Sequence, residues 1–427
     1  MIFGADGYIG WPLALHLAAE RDTRVVLVDN LVTRKLVQSV GSDSLVPLPS
    51  MHERIDAYRR ITGRDNLVFV EADARDPRQV DEVISHFVPD SIAHLAQQRS
   101  APFSMIDQEH ALYTQVNNIA TNLNILYSMA RHAPRSSLLK MGTMGEYGTP
   151  EVEITEGPIE IVRKSRKYLG MFPRSGQSWY HLSKVFDTHN VMLANKLHGL
   201  SATDVMQGVV YGTRVDEVTD DSLSTRFDFD SIWGTVINKY VVQAVVLNKL
   251  LIYGLGKQTR GFLSLYDSVN CLTLLLRNPP AEGEYRLVNQ LDETYDTVQL
   301  ANKVKKIGEE FGYYVDLVPV PNPRVESERH FYEVERKLLP QLGFRREKEM
   351  EEVIREIFRA VIANKARAEK MKHLIYPTVM WRSDKKIHSD RFPLPEDLRR
   401  LYVTESPPEL MTAGARFKTE EVEGTSE

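Results

Sequence analysis

Cysteine is nearly absent: Cys271 is the single one in 427 residues. One thiol can form no internal disulfide and cannot build a cysteine-based metal site, so a reducing cytoplasm is the natural compartment and no metal is expected. Long apolar runs are also missing. No stretch approaches the ~20 residues of a membrane span, and the N terminus lacks the charged flank, apolar run and small-residue cleavage site of a secretory signal. A soluble protein without a membrane partner is the expectation. Nor is there a strong excess of one charge: 53 Lys and Arg stand against 58 Asp and Glu. The two signs are interspersed, which removes the broad basic face that nucleic acid would require. Any positive charge that matters must be local. Internal repeats and low-complexity tracts are absent.

What is present is an alternation. Short β-branched apolar runs at 24–28, 67–71, 91–95, 137–141 and 201–206 read as strands, and amphipathic stretches at 8–21, 77–87, 109–132 and 178–197 read as helices between them. Crossovers of that length join parallel strands, which predicts an α/β fold: a doubly wound, parallel Rossmann-type sheet. Single cores stop growing at roughly 250 to 300 residues, so a second lobe and a cleft are expected. The alternation fades after Gly212. A helix at 230–247, strands at 250–253 and 262–265, a proline-rich segment at 319–324 and a charged helix at 349–372 read as a smaller α+β substrate-binding lobe. The expected division is 1–212 with segments returning from later in the chain, 213–381 mainly for the second lobe, and a tail, 382–427, ordered only against a partner or not at all. Only Met1-Ile2-Phe3 precede the first glycine turn, where a strand usually has about 5 or 6 residues. A few further residues are expected upstream in the native chain, and extension by three or four apolar residues should raise the melting temperature or strengthen ligand retention.

Gly4-Ala5-Asp6-Gly7-Tyr8-Ile9-Gly10 follows the first strand and opens the first helix. Glycines there let the backbone approach a pyrophosphate seated on the helix dipole. Alone the motif is weak. It gains force from Asp29, which ends the second strand about 20 residues on, where a carboxylate accepts ribose hydroxyls. Asn30 in place of a basic residue favours NAD over NADP, while Arg34 nearby would suit a 2′-phosphate. Asp73, beside Ala74 past the third strand, is placed for an adenine amino group, although strand-end Asp is also an ordinary turn residue. Leu95 would lie under the dinucleotide, and Asn118 could hydrogen-bond cofactor or sugar.

Tyr180 and Lys184 sit at i and i+4, hence on one helix face. An ammonium beside a phenol lowers its pKa from ~10 toward neutrality, which suits a tyrosinate that takes a proton from a sugar hydroxyl. Such a pair is common on helix surfaces by itself. Downstream of a dinucleotide fingerprint, with Thr143 just after the fifth strand, it reads as a Thr/Tyr/Lys triad.

These residues resemble those of extended short-chain dehydrogenases acting on nucleotide sugars. Within that group, Gly142-Thr143-Met144-Gly145-Glu146-Tyr147-Gly148-Thr149-Pro150, Gln98-Arg99-Ser100-Ala101-Pro102, Gln207-Gly208-Val209-Val210-Tyr211-Gly212, Gln258-Thr259-Arg260-Gly261 and Pro321-Asn322-Pro323-Arg324-Val325-Glu326 resemble the UDP-sulfoquinovose synthase family. The likeness runs from the glycine turn to about Trp381. It implies a redox-neutral cycle on UDP-glucose: NAD oxidises carbon 4, the ketone acidifies the carbon 5 proton, water leaves carbon 6, sulfite adds, and the hydride returns. It also implies sulfite, free or from a donor protein, as a partner, and a homodimer or higher homo-oligomer through the helices near Ile119 and Val185. Arg260 and Arg324 fall in the family's diphosphate-binding stretches with Gln258 beside them, and guanidinium forks suit phosphate. Arg99 and Gln207 are assigned to the sugar and sulfite region.

Two departures stand out. Sugar-nucleotide dehydratases carry Asp-Glu after the catalytic Thr, whereas this chain has Met144-Gly145, which leaves Glu146 and His181 as candidate proton donors at carbon 6. The family pattern also has Glu where this chain has Gln97. The competing expectations are a UDP-sugar 4-epimerase or 4,6-dehydratase using the same triad, and an NAD-sensing binding protein without catalysis.

Overall fold

The computed structural model describes residues 1–20, 22–327, 329–382 and 392–399. Its centre is a seven-stranded sheet whose strands run, from one edge to the other, Tyr285–Gln290, Ser201–Gln207, Ser137–Met141, Ser91–His94, Ile2–Phe3, Val25–Asp29 and Leu67–Glu71. Every pairing in it is parallel. Side chains alternate between two apolar layers, as the two-residue period of a strand requires. Ile2, Leu27, Ala93, Leu139 and Val205 belong to one core cluster, and Phe3, Val26, Val28, Ile92, Leu138 and Ala202 to the other. The first strand has two residues, yet it lies between Val25–Asp29 and Ser91–His94 and is fully buried. The Met1 nitrogen donates to the Ser91 carbonyl at 2.9 Å.

The expected strands at 67–71 and 137–141 and the helix Pro77–Phe87 form where the pattern put them. The first helix forms over Gly10–Ala18, within the expected 8–21, of which Arg21 lies outside the described residues. The helices Gln108–His132 and Trp179–His198 pack side by side over the same sheet face. Beyond the central sheet, Val209–Tyr211, Thr259–Ser264 and Glu293–Asp296 form a small mixed sheet, and Lys249–Tyr253 pairs with Asp316–Val320. Helices Val236–Leu247, Thr297–Glu310 and Met350–Ala363 pack together beneath these strands.

Three elements differ from the sequence pattern. The helix expected at 230–247 starts at Val236, because the buried Asp230 carboxylate accepts the backbone N–H groups of Ile232 and Trp233 and holds a separate turn ahead of it. The helix expected at 349–372 is broken at Asn364, whose side-chain amide donates to the Ala360 carbonyl at 2.9 Å, and it resumes over Lys365–Met371. The hairpin Pro158–Arg163/Arg166–Met171 was not anticipated at all. Lys164 and Ser165 at its tip have φ of 48° and 64°, a left-handed conformation that neither residue signals. Of the tail at 382–427, residues 383–391 and 400–427 lie outside the described residues, and a short helix, Glu396–Arg399, is present between them.

Candidate active site

A cleft of about 370 Å³ opens above the carboxyl ends of the central strands, where doubly wound sheets place their ligands. The first glycine turn forms its floor. Gly4 has φ of 86°, and a Cβ there would run into the backbone of Leu95; a Cβ on Gly10 would overlap the Gly4 carbonyl. Only a bare backbone leaves that cradle open to a dinucleotide. Past it, Asp29, Asn30, Asp73 and Ala74 line an adjoining pocket that shares Gly4, Gly7 and Leu95 with the cleft. The Asp29 carboxylate accepts from the Asp6 and Leu31 amides at 2.8 and 2.7 Å, and burial raises it to about 6. These features fit NAD: carboxylates in the adjoining pocket, a side-chain-free floor and a helix N terminus. Asp73 is held by Arg75 and hydrogen-bonded by Asn30.

Tyr8 and Ile9 line the cleft, and the Tyr8 hydroxyl donates to the Gly212 carbonyl at 2.7 Å. Asp6, Arg34 and Asn118 are engaged elsewhere. Arg34 spends its guanidinium on the Asp6 carboxylate, at 2.7 and 2.8 Å, and on the Pro49 carbonyl, while Arg54 binds Asp6 from the other side. Asn118 is buried, donating to Gln98 O and Ser183 Oγ at 3.0 and 2.9 Å. It latches the loop after the fourth strand to the helix Trp179–His198.

Thr143, Tyr180, His181 and Lys184 all line the cleft. Ser178 caps the helix, accepting from the His181 amide, and so points its first turn at the end of the Ser137–Met141 strand. The Thr143 hydroxyl hydrogen-bonds the Tyr180 phenol, and the Lys184 ammonium stands 5.9 Å from the phenol ring centroid. The expected lowering of the Tyr180 pKa is not found. Burial and the Glu146 charge hold it above its usual value, against the pull of Arg99 and Thr143. The reason is geometric: Lys184 donates to the Met141 carbonyl at 2.6 Å and to Gln97 Oε1 instead of to the phenol.

Glu146 and His181 part company. Glu146 is fully buried and closes a capping box with Thr143; its carboxylate meets Arg174 at 2.5 Å and Lys140 at 3.4 Å, and it is not among the residues lining the cleft. His181 lines the cleft, and its imidazole fills the space a side chain at 145 would need: a Cβ on Gly145 would overlap the ring. Burial, with Arg324 and Arg260 nearby, pushes the imidazole pKa down to about 3. Met144 lies beside it in the lining.

Arg99, Gln207, Gln258, Arg260 and Arg324 share the same cleft. Arg99 is paired with Asp228, Arg260 with Glu326 at 2.5 Å, and Gln207 donates to Ser268 Oγ at 2.9 Å. Gln258 accepts from the Thr297 hydroxyl at 3.2 Å. The Arg324 guanidinium lies over Trp381, 5.4 Å from its ring centroid. Sequence reasoning missed Lys239, which lines the cleft from the first turns of Val236–Leu247. Among the described residues it has no ion pair, resting 5.6 Å from the Tyr253 centroid, and burial beside Arg324 lowers it to about 8. A lysine interrupting the apolar stretch Val236-Ile237…Tyr240-Val241-Val242 is the signal that could have found it.

Among the described residues there is no cluster able to hold a metal ion, and no helix long and apolar enough to cross a membrane.

Residues 1–289 match the NAD dependent epimerase/dehydratase family. The UDP-sulfoquinovose synthase of Sulfolobus acidocaldarius is 45% identical over 383 residues, covering 90% of this chain and 97% of that one. The chloroplastic UDP-sulfoquinovose synthase of Spinacia oleracea is 40% identical, covering 90% and 79%. The chain also superposes on a UDP-glucose 4-epimerase of Stenotrophomonas maltophila solved with bound NAD and formylated UDP-arabinopyranose, with a TM-score of 0.64, 18% identity and coverage of 86% and 98%. With the glycine cradle, the Thr143/Tyr180/Lys184 cluster and these likenesses together, the chain belongs to the NAD dependent epimerase/dehydratase family and, within it, to the UDP-sulfoquinovose synthases.

Proposed function

We propose that this protein is an NAD-dependent UDP-sulfoquinovose synthase that converts UDP-glucose and sulfite to UDP-sulfoquinovose, with 1–212 holding the cofactor and 213–381 contributing most of the UDP-sugar site. The observation that carries this reading is His181 standing over Gly145. Where a dehydratase has its Asp-Glu pair, this chain removes the side chain at 145 and fills the vacated space with an imidazole beside the phenol, 5.2 Å between ring centroids.

The glycine turn, Asp29, Asn30 and Leu95 would hold NAD, which when bound would supply hydride acceptance from carbon 4 and its later return. The remaining work belongs to side chains. Tyr180 is the base for the carbon 4 hydroxyl, oriented by Thr143, and Lys184 steadies the charge that forms on it. His181 handles the proton of the departing carbon 6 hydroxyl. It is neutral in the free protein because burial, with Arg324 and Arg260 nearby, disfavours its charge, and a diphosphate bound to those arginines would relieve their part of that penalty. Glu146 acts as the structural carboxylate that anchors Thr143. Arg260 and Arg324 take the diphosphate with Gln258, and Arg99 and Gln207 face the sugar and sulfite.

The assembly is proposed to be a homodimer in the cytoplasm. Leu112, Val116, Trp179, Phe186, Leu193 and Leu197 are all exposed on the two long helices that pack side by side, an apolar surface of the sort an interface covers.

Incubation with UDP-glucose and sulfite should give a sulfonated nucleotide sugar by mass spectrometry. UDP-galactose or a stable 4-keto-6-deoxy sugar as the sole product would overturn the reading in favour of an epimerase or dehydratase; no turnover with NAD bound would favour a binding protein.

A further inference from the structure

Lys184 leans on a group that touches no reacting atom. Its ammonium donates to Gln97 Oε1, and the Gln97 amide nitrogen donates in turn to Asp187 Oδ2 at 2.6 Å and to the Asn118 carbonyl at 3.0 Å. This amide has only one workable orientation. Flipped, it would set its NH₂ against the ammonium and its oxygen against a carboxylate and a carbonyl, turning favourable contacts into repulsive ones. Gln97 is therefore a one-way bridge, from the Asp187 acceptor to the Lys184 donor.

Asp187 itself is fully buried, and its other oxygen, Oδ1, has no hydrogen-bond partner. A solitary buried carboxylate oxygen is costly, and a structural role alone would not require it. The charged groups around the pair are Lys140 from the neighbouring strand, Glu146, Asp204 and Arg174, with neutral His94 beneath. Among the described residues none of them makes an ion pair with Asp187, so the carboxylate's direct contact with the site is the Gln97 amide. Burial pushes Asp187 up and Lys184 down, bringing the two toward each other and making the charge of each sensitive to the other.

We propose that Asp187, acting through the fixed amide of Gln97, is a positioning residue that holds Lys184 in its ammonium form and aimed beneath Tyr180. In a chain with Glu at position 97 the carboxylate would sit directly on the lysine; with Gln97 the negative charge lies one residue further back. The inference deepens the proposed mechanism and rests on it only for the role of Lys184, because its test reads that lysine without substrate.

The test is the rate at which Lys184 reacts with a small amine-directed acylating reagent as a function of pH, followed by peptide mass spectrometry on the full-length protein. In Asp187→Asn the amide preserves shape and can still accept from Gln97, but the charge is gone. The Lys184 reactivity curve should move to lower pH by at least one unit, about a tenfold rise in labelling on its lower limb, because the ammonium loses a neighbouring negative charge. Gln97→Glu should move the curve the opposite way. Where turnover is present, the limb of the pH–kcat profile should follow the labelling curve, with KM for UDP-glucose little changed. An unmoved labelling curve in both variants, or a uniform loss of reactivity alongside a lower Tm, would overturn the proposal. A moved curve in a protein that makes no sulfonated sugar would uphold it and refute the substrate reading instead.

Discussion

Beneath the helix Trp179–His198, three cations and three anions have buried side chains: Lys140, Arg174 and Lys184 with Glu146, Asp187 and Asp204. Across the cleft stand Lys239 and Arg324, for which no acidic side chain closes an ion pair among the described residues. The first group is balanced by the protein itself. Lys140 meets Asp204 at 3.1 Å and donates to Thr188 at 3.0 Å, while Thr188 donates to Asp204 at 2.6 Å. Charges compensated inside the fold hold geometry; charges left open in a cleft are free to meet a ligand. The same residue types thus do different work depending on whether their counter-charge comes from the chain or from outside.

The sharpest way to separate the two regions is to remove one group from each and from the site between them. Tyr180→Phe should lower kcat by about 10² to 10⁴-fold while leaving bound NAD in place, measured by turnover and by release of nucleotide on denaturation. Undiminished activity would refute its assigned role. Lys140→Met breaks the balanced cluster and leaves Glu146 and Asp204 buried with one fewer cation, a loss of about 3 to 5 kcal/mol in chemical denaturation. If stability held, the cluster would not be the scaffold described. Lys239→Ala should weaken UDP binding about tenfold or more by calorimetry, as expected for a charge-assisted contact worth ~1.5 to 3 kcal/mol, with the unfolding midpoint little moved. The reverse pattern, lower stability and unchanged affinity, would erase the contrast.

A smaller effect follows from His181. Its folded pKa of about 3 lies below the ordinary imidazole value of ~6.5, so the unfolded chain binds a proton that the native ring refuses. That term favours folding fully above pH ~6.5 and is lost as pH falls toward 3. His181→Gln should flatten the acid side of the stability profile over that window. A titration of His181 by NMR should show its pKa rising when UDP is added; an unmoved signal would break the link to Arg260 and Arg324.

The main strands and the four crossover helices were legible because a parallel sheet buried on both faces imposes dense apolar runs separated by helices of crossover length. The hairpin at Pro158–Arg163/Arg166–Met171 was not, since most of its side chains are exposed and its turn uses Lys164 and Ser165 where glycine or asparagine would have announced it. The break at Asn364 was hidden for a similar reason: the apolar period continues through it, and the interruption comes from one side chain bonding back to the preceding turn.

Within the cleft, Gly4, Gly7, Gly10, Asp29, Thr143, Tyr180 and Lys184 could be read from spacing because each motif is local, set by one turn or by one helical repeat. By itself the sequence therefore determined the doubly wound order of elements, the dinucleotide cradle and the helical pairing of phenol and ammonium. Only the tertiary structure decided what the polar groups face. It turned Arg34 and Asp6 toward each other, buried Glu146 against Arg174 and Lys140, stood His181 over Gly145, and brought Lys239 into the cleft from a helix more than fifty residues beyond the triad. Those outcomes depend on charge and volume matched between segments far apart in the chain, and no local period carries that information.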